Sequence, residues 1–327
     1  MYNFDMSKFL QQVREKTRLV GLADATERTY TSWIKRFIRF HKFQSEAEIS
    51  QSPREYIETY ISYLANEKQL SASSVNQAIS ALVFLYKEVL RVDLPYMSFK
   101  RPKRIHALQH PLPADEVLTL LSHLHGDIYL MAAIMYGAGL RVSEVCSLRV
   151  KDFDFAHSKI LVTNAKGGDH RITFLPKRII PQLKAHLEVV RAQHQRDIQN
   201  GYGYAWLPPS LRRKYPHAER DWRWQYAFPS QKLSRHRREP ENETLYRFHR
   251  SPSTISSAVK RTADKLGFEK RVTPHILRHS FAVEMRKRGC SIEQIQKLMG
   301  HKNDKTRQLH YLRSIEPDIN HLKGPLD

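Results

Sequence analysis

Five residues between positions 141 and 311 have side chains suited to breaking a phosphodiester without a metal ion. They are Arg141 in GLRVSE, His275 and Arg278 in HILRH, His301 in MGHK, and Tyr311. Guanidinium groups bind the nonbridging oxygens of a phosphate through paired, charge-assisted hydrogen bonds. A tyrosine hydroxyl, whose ordinary pKa is about 10, becomes a nucleophile when cations or a base activate it. These residues predict cleavage of DNA by a tyrosine nucleophile.

The HILRH segment places three polar donors on one side of a helix. His275, Arg278 and His279 are spaced i, i+3 and i+4 among apolar residues. Two histidines four residues apart can also bind zinc. No glutamate follows the first histidine, and Arg278 would repel a dication. We therefore predict neither a metal site nor a cofactor.

A β-hairpin is predicted in the segment KILVTNAKGGDHRITFLP. Two β-rich runs flank Gly167 and Gly168, which places Lys166 near the tip of the turn. A lysine there has the mobility and acidity to protonate a 5′-hydroxyl leaving group. A single lysine in a turn is otherwise simply solvated, so the case for Lys166 depends on the residues around it.

The charge of the chain favours a polyanionic ligand. Lys and Arg number 54 against 33 Asp and Glu, a net charge of +21 over 327 residues, with a pI near 10.0. Phosphates neutralised by Lys or Arg release condensed counterions. A basic surface that only confers solubility is the alternative.

The longest apolar run, Ile128 to Tyr136, is far below a membrane span of about 20 residues. We predict a soluble, intracellular protein whose two cysteines are buried thiols.

The N-terminal part, residues 1–95, is predicted to be a helical bundle. Amphipathic patterns indicate three helices, over Thr26–Phe40, from Pro53 onward, and over Ser73–Leu90. Ser52 and Glu55 are predicted to form a capping box at the start of the second helix. Residues 96–112 lack periodicity and are basic. We predict a linker there that lies on DNA through Arg101, Lys103 and Arg104, the alternative being a surface loop.

Residues 113–327 are predicted to form a second domain, mostly α-helical with a small β-sheet. Residues 201–250 differ from the rest, because tryptophans and tyrosines alternate with arginines and histidines. Aromatic rings between cations suit stacking on unpaired bases and contact with phosphates. An insertion whose rings form their own small core is equally compatible with the composition.

The chain resembles the tyrosine recombinase (phage integrase) family over essentially its whole length. The resemblance is carried by GLRVSE, the hairpin lysine, HILRH, GH and the tyrosine that follows, in this order. The resemblance implies a core-binding domain followed by a catalytic domain. It assigns Arg141, Arg278 and His301 to the phosphate, His275 to proton transfer, Lys166 to general acid catalysis, and Tyr311 to a 3′-phosphotyrosyl intermediate. Glu144 and His279 would brace the site. It also implies a homotetramer on DNA, a monomer when free, and a cytoplasmic, bacterial protein.

Within that family the insertion resembles the extra segment of integron integrases. The similar residues are SLRRKYPHAERDWRWQYAFPS and Phe248 to Arg250. In that subgroup the segment binds bases that protrude from folded single-stranded recombination sites. The resemblance implies that Trp222, Trp224 and His249 contact DNA. The alternative is a Xer-type or phage-type recombinase that acts on duplex sites.

The position of the tyrosine departs from the family pattern. The family usually places it nine residues after the histidine of GH, where this chain has His310, and Tyr311 comes one residue later. One extra residue within a helix would turn the side chain by about 100°. An extra residue in the preceding loop would leave its direction unchanged. We predict that Tyr311 is the nucleophile, the alternative being a DNA-binding protein that has lost catalysis.

Overall fold

The computed structural model describes residues 4–94, 111–163, 170–239, 241–300 and 326. The chain divides into two compact units, Met1–Leu108 and Gln109–Asp327. The predicted linker, with Arg101, Lys103 and Arg104, lies outside the described residues apart from its last two positions.

The N-terminal unit is a helical bundle. Its helices are α1 (Met6–Leu19), α2 (Asp24–His41), α3 (Glu46–Gln51), α4 (Pro53–Ser62) and α5 (Ala72–Phe84), with π-helical turns at Tyr63–Glu67 and Leu85–Leu90. Aromatic rings fill the centre, where Phe37 lies 5.4 Å from Tyr60 and 6.3 Å from Tyr86 between centroids. Tyr86 donates a hydrogen bond to the carbonyl of Ile49 at 2.9 Å, which satisfies its buried hydroxyl.

The three helices predicted in this unit are confirmed, but one predicted cap is wrong. The side chain of Ser52 accepts no hydrogen bond at the start of α4, so the capping box with Glu55 does not form. Pro53 occupies the first turn as predicted, where its missing N–H has no helical partner in any case.

The C-terminal unit is mainly helical with one small sheet, as predicted. Its helices are α6 (Ala114–Ser122), α7 (Gly126–Ala138), α8 (Val142–Ser147), α9 (Ile180–Gln199), α10 (Pro209–Lys214), α11 (Pro252–Lys265), α12 (Pro274–Lys287) and α13 (Ile292–Met299). Strands β1 (Phe153–Asp154), β2 (Lys159–Thr163) and β3 (His170–Phe174) form an antiparallel sheet in the order β1-β2-β3.

Helix α7 lies at the centre of this unit and packs against α12. It is buried from Leu130 to Ala138, which fits its uniformly apolar sequence. The helix ends at Gly139, whose φ of +68° is a left-handed conformation that favours glycine. A Cβ at this position would meet the ring of Phe281 at 2.5 Å, so glycine also permits the close approach of α12. This junction sets the direction of the chain two residues before Arg141.

The predicted hairpin is confirmed by the pairing of β2 with β3. Thr163 pairs with His170, and the hydroxyl of Thr173 donates to the carbonyl of Ala138 at 2.9 Å. The second contact fixes the sheet to the end of α7. Lys166, predicted near the tip of the hairpin, lies outside the described residues. No helix within the described ranges is long and apolar enough to cross a membrane.

Candidate active site and nucleic-acid interface

Three arginines from separate parts of the chain surround the carboxylate of Glu144. Arg141 starts helix α8, and its backbone N–H and its Nη1 donate to Glu144 at 2.7 and 2.8 Å. Arg171, on β3, donates from Nη1 and Nη2 to the two carboxylate oxygens at 2.9 and 2.6 Å. Arg278, on α12, approaches the same carboxylate to 3.7 Å. We call these four residues the arginine cluster.

Arg278 is the most deeply buried residue of the arginine cluster. Its side chain is 1% exposed, and its two terminal nitrogens donate to the carbonyls of Gly139 and Met299. These carbonyls belong to residues at the ends of α7 and α13, where helices leave acceptors without helical partners. Burial, and then the charge of Arg141, lower the pKa of Arg278 to about 9. The group remains a cation at neutral pH, and its burial and the nearby charge of Arg141 disfavour that charged form.

Glu144 is the only acidic partner that the described part of the cluster shows. Burial alone would raise its pKa, but the hydrogen bonds and charge of Arg171, and then those of Arg141, lower the pKa to about 2. The carboxylate is therefore ionised at any physiological pH. Three cations and one anion leave a net charge of two positive units. Arg141 faces the open side of the cluster, since 37% of its side chain is exposed.

Two histidines lie on α12 beside Arg278. The rings of His275 and His279 meet edge to face at 4.5 Å, with His275 exposed and His279 buried. Desolvation, followed by the charges of Arg278 and Arg141, lowers the pKa of His275. Burial and the two neighbouring side chains lower the pKa of His279 to about 4. Both rings are neutral at pH 7, and His275 has the accessible nitrogen needed to accept a proton.

The structure therefore brings Arg141, Glu144, His275, Arg278 and His279 close together, and their catalytic roles stay predictions. Lys166, His301 and Tyr311 lie outside the described residues. In the described ranges, no three histidine, cysteine, aspartate or glutamate side chains are grouped to hold a metal ion. Cys146 and Cys290 are buried free thiols, as predicted.

Arg171 is a residue of the site that was not predicted from the sequence. This residue shares one face of β3 with buried Thr173, because strand side chains alternate between faces. An arginine on the inward face of a strand needs a buried partner. That alternation was the available signal, but it does not reveal that the partner is Glu144.

The three aromatic residues predicted to contact DNA have partners within the protein. The ring of Trp222 lies 6.0 Å from that of His194, and Trp224 has the Lys151 ammonium 4.0 Å from its ring centroid. The Nδ1 of His249 lies 2.8 Å from the carbonyl of Arg250. All three predicted residues are half-buried, so part of each ring also faces solvent. These contacts fit the small-core interpretation and leave surface for a ligand.

One ion pair joins the insertion to α9, and others lie within the insertion. Arg247 pairs with Asp197 of α9, and the two side chains are 10% and 7% exposed. Arg212 pairs with Glu239 at 2.8 Å and with Glu219 at 3.2 Å. Arg247 and Arg212 each have at least one carboxylate of their own, whereas in the described part of the cluster three arginines share Glu144.

Comparison with known proteins agrees with this geometry. Residues 111–316 match the phage integrase family, and residues 9–96 match the phage integrase N-terminal SAM-like domain. The chain belongs to the phage integrase family. It is a tyrosine-type site-specific recombinase. An integrase/recombinase of Escherichia coli is 36% identical over 321 residues, which cover 98% of this chain and 93% of the relative. A tyrosine recombinase of Pseudothermotoga lettingae is 27% identical, with 96% and 94% covered.

Solved structures of recombinases share the fold. A lambda integrase fragment, crystallised as a dimer bound to a COC′ core site, has a TM-score of 0.61 at 18% identity and covers 97% of this chain and 99% of that chain. XerH bound to its difH substrate before cleavage has a TM-score of 0.59 at 18% identity, with 94% and 81% covered. At these identities the likeness concerns the fold of this phage integrase family member, and the chemistry rests on its own residues.

Proposed function

We propose that this recombinase cuts and rejoins DNA through a 3′-phosphotyrosyl intermediate at Tyr311. The net positive charge of the arginine cluster carries the proposal. A buried charge imbalance costs stability unless a ligand neutralises it. A phosphodiester supplies one negative charge, and its transition state carries more on the nonbridging oxygens. Arg141 and Arg278 bind those oxygens, and His301 adds a further donor.

The cleavage step exchanges one phosphorus–oxygen bond for another and moves two protons. The oxygen of Tyr311 attacks phosphorus while the bond from phosphorus to the 5′-oxygen breaks. His275, neutral at pH 7 because its pKa is lowered, accepts the phenolic proton. Lys166 gives a proton to the departing 5′-oxygen. Attack by the 5′-hydroxyl of another strand reverses these steps and rejoins the DNA, so the ester conserves the bond energy.

Four protomers assemble on two DNA sites in this proposal, and each is a monomer when free. Two duplex sites present four strands, and each protomer contributes one Tyr311. Arg101, Lys103 and Arg104 follow the phosphate backbone between the domains, since basic extended segments bind it without reading sequence.

We further propose that the insertion binds unpaired bases of folded single-stranded sites. The half-buried rings of Trp222, Trp224 and His249 support this, because partly exposed aromatic faces next to cations suit base stacking. Binding to a hairpin with protruding bases, compared with its perfect duplex, tests the proposal. Tighter binding to the hairpin is expected. Equal affinity would favour the alternative, a recombinase of duplex sites whose insertion is structural.

Covalent capture from a mixture of DNA sequences tests the central reaction. The protein is incubated with nicked duplexes that contain a randomised central segment, and oligonucleotides that remain attached under denaturing conditions are sequenced. The wild-type chain should yield adducts, whereas Tyr311→Phe should yield none while binding DNA normally. Adducts in Tyr311→Phe would assign the nucleophile elsewhere. Absence of adducts with the wild type would indicate a chain that binds DNA without cutting it.

A further inference from the structure

Arg171 connects three parts of the chain at the arginine cluster. Its Nη1 and Nη2 bind the two oxygens of Glu144, and its Nε donates to the carbonyl of Leu298 at 2.8 Å. Strand β3, the start of α8 and the end of α13 therefore meet at one side chain. This side chain is 12% exposed, whereas that of Arg141 is 37% exposed. Arg171 is thus largely buried, while Arg141 is partly exposed to solvent.

Glu144 relays the position of Arg171 to Arg141. Its Oε1 accepts from both arginines, at 2.9 Å from Arg171 and 2.8 Å from Arg141. Its Oε2 accepts from Arg171 and from the backbone N–H of Arg141. A planar guanidinium fixes both carboxylate oxygens at once. Without that fork the carboxylate can rotate, and the Arg141 side chain that depends on it moves as well.

Arg171 also packs tightly against the residue that precedes His301. A Cβ at Gly300 would meet Nη1 of Arg171 at 2.9 Å, and Gly300 has a left-handed φ of +66°. The carbonyl of Gly300 accepts from Nη2 of Arg141 at 3.3 Å. The same short stretch of backbone, Leu298 to Gly300, therefore contacts both arginines.

We propose that Arg171 is a positioning residue for strand cleavage, which acts by holding Glu144 and, through it, Arg141 at the scissile phosphate. This inference rests on the proposed function, because it concerns the rate of the cleavage step. Among the described residues, the hydrogen bonds of Arg171 go to Glu144 and to the backbone of Leu298. A misplacement of about 1 Å in such a site can cost on the order of 10²-fold in rate.

The test measures covalent adduct formation on nicked DNA recovered by the capture experiment. Arg171→Gln should cleave about 10²-fold more slowly than the wild type, with unchanged affinity for the same DNA. Arg171→Lys keeps the charge but offers one point of contact in place of a planar fork, so it should remain slow. Arg196→Gln is the matched control. Arg196 lies on the exposed surface of α9, where it bonds only to neighbouring Gln193 among the contacts described, and its loss should leave the rate unchanged.

A double-mutant cycle identifies the route of the effect. If Arg171 acts through Arg141, the double variant Arg141→Gln/Arg171→Gln should be no slower than Arg141→Gln alone. Multiplied defects, full activity in Arg171→Lys, or loss of folded protein in both Arg171 variants would overturn the inference. A wild-type chain that forms no adduct would overturn the proposed function first and this inference with it. Normal wild-type adducts with a normal rate in Arg171→Gln would overturn this inference alone.

Discussion

The arginines of the cluster and two arginines of the insertion differ in the carboxylates that lie beside them. Around Glu144, three guanidinium groups share one carboxylate. In the insertion, Arg247 has Asp197, and Arg212 has both Glu239 and Glu219. Buried ion pairs that are balanced hold structure together, whereas an unbalanced group is stable only at a cost. Among the described residues, the difference separates a carboxylate shared by three arginines, where we propose that a phosphate binds, from arginines that each have a carboxylate partner.

Removal of Arg278 should have the largest effect, and on rate rather than stability. Arg278→Met is expected to slow adduct formation by on the order of 10³, because a preorganised cation at the phosphate is lost. Its melting temperature should change little, since relief of repulsion from Arg141 offsets the lost bonds to two carbonyls. Adduct kinetics and calorimetry measure the two quantities. A large loss of stability with normal kinetics would remove the contrast between the two regions.

Removal of Arg247 should lower the stability of the protein and leave the cleavage rate unchanged. Arg247→Met leaves the buried Asp197 without its cationic partner, with only the hydrogen bond from Gln193, which is expected to cost about 3 to 4 kcal/mol of unfolding free energy. Urea unfolding followed by tryptophan fluorescence measures this free energy, because three of the four tryptophans lie in the C-terminal unit. Folded variant protein should still cleave duplex site DNA. A stable variant that cannot cleave would place Arg247 in the reaction.

The pH dependence of stability isolates Glu144. Its pKa of about 2 lies below the ordinary 4.5, so its stabilisation is fully present above pH 4.5 and disappears as the pH falls toward 2. The shift corresponds to about 3 kcal/mol. Glu144→Gln should therefore be less stable than the wild type at pH 7, and the difference should shrink steadily below pH 4.5. A difference that does not depend on pH would mean that the carboxylate charge contributes nothing.

The smallest predicted effect concerns the insertion. Trp224→Ala should weaken binding to a hairpin with protruding bases by about 1 to 2 kcal/mol and leave duplex binding unchanged. Tyr202→Ala, which removes an exposed aromatic ring of the same segment, is the matched control and should change neither. Equal losses on hairpin and duplex would show that Trp224 serves the structure of the insertion.

The sequence predicted the parts of the site whose positions depend on local patterns. Gly139 ends one helix and directs Arg141, and i, i+3 spacing places Arg278 beside His275 on α12. It did not predict Arg171, because a single arginine on a strand has no local signature of its partner. It also could not pair Arg247 with Asp197, since fifty residues separate them. Helices α1 and α9 were missed, although Phe9, Leu10 and Val13 give α1 a detectable apolar face. The catalytic roles of all the predicted residues stay predictions, and Lys166, His301 and Tyr311 also lie outside the described residues.

The most direct test of the account replaces one nonbridging oxygen of the scissile phosphate by a methyl group, which removes its negative charge. Adduct formation is measured for the wild type, Arg141→Met and Arg278→Met on the charged and the neutral substrate. If the cluster exists to neutralise that charge, each arginine substitution should slow cleavage severely on the phosphate and much less on the methylphosphonate. The same penalty on both substrates would contradict the claim that the unbalanced arginines receive the phosphate.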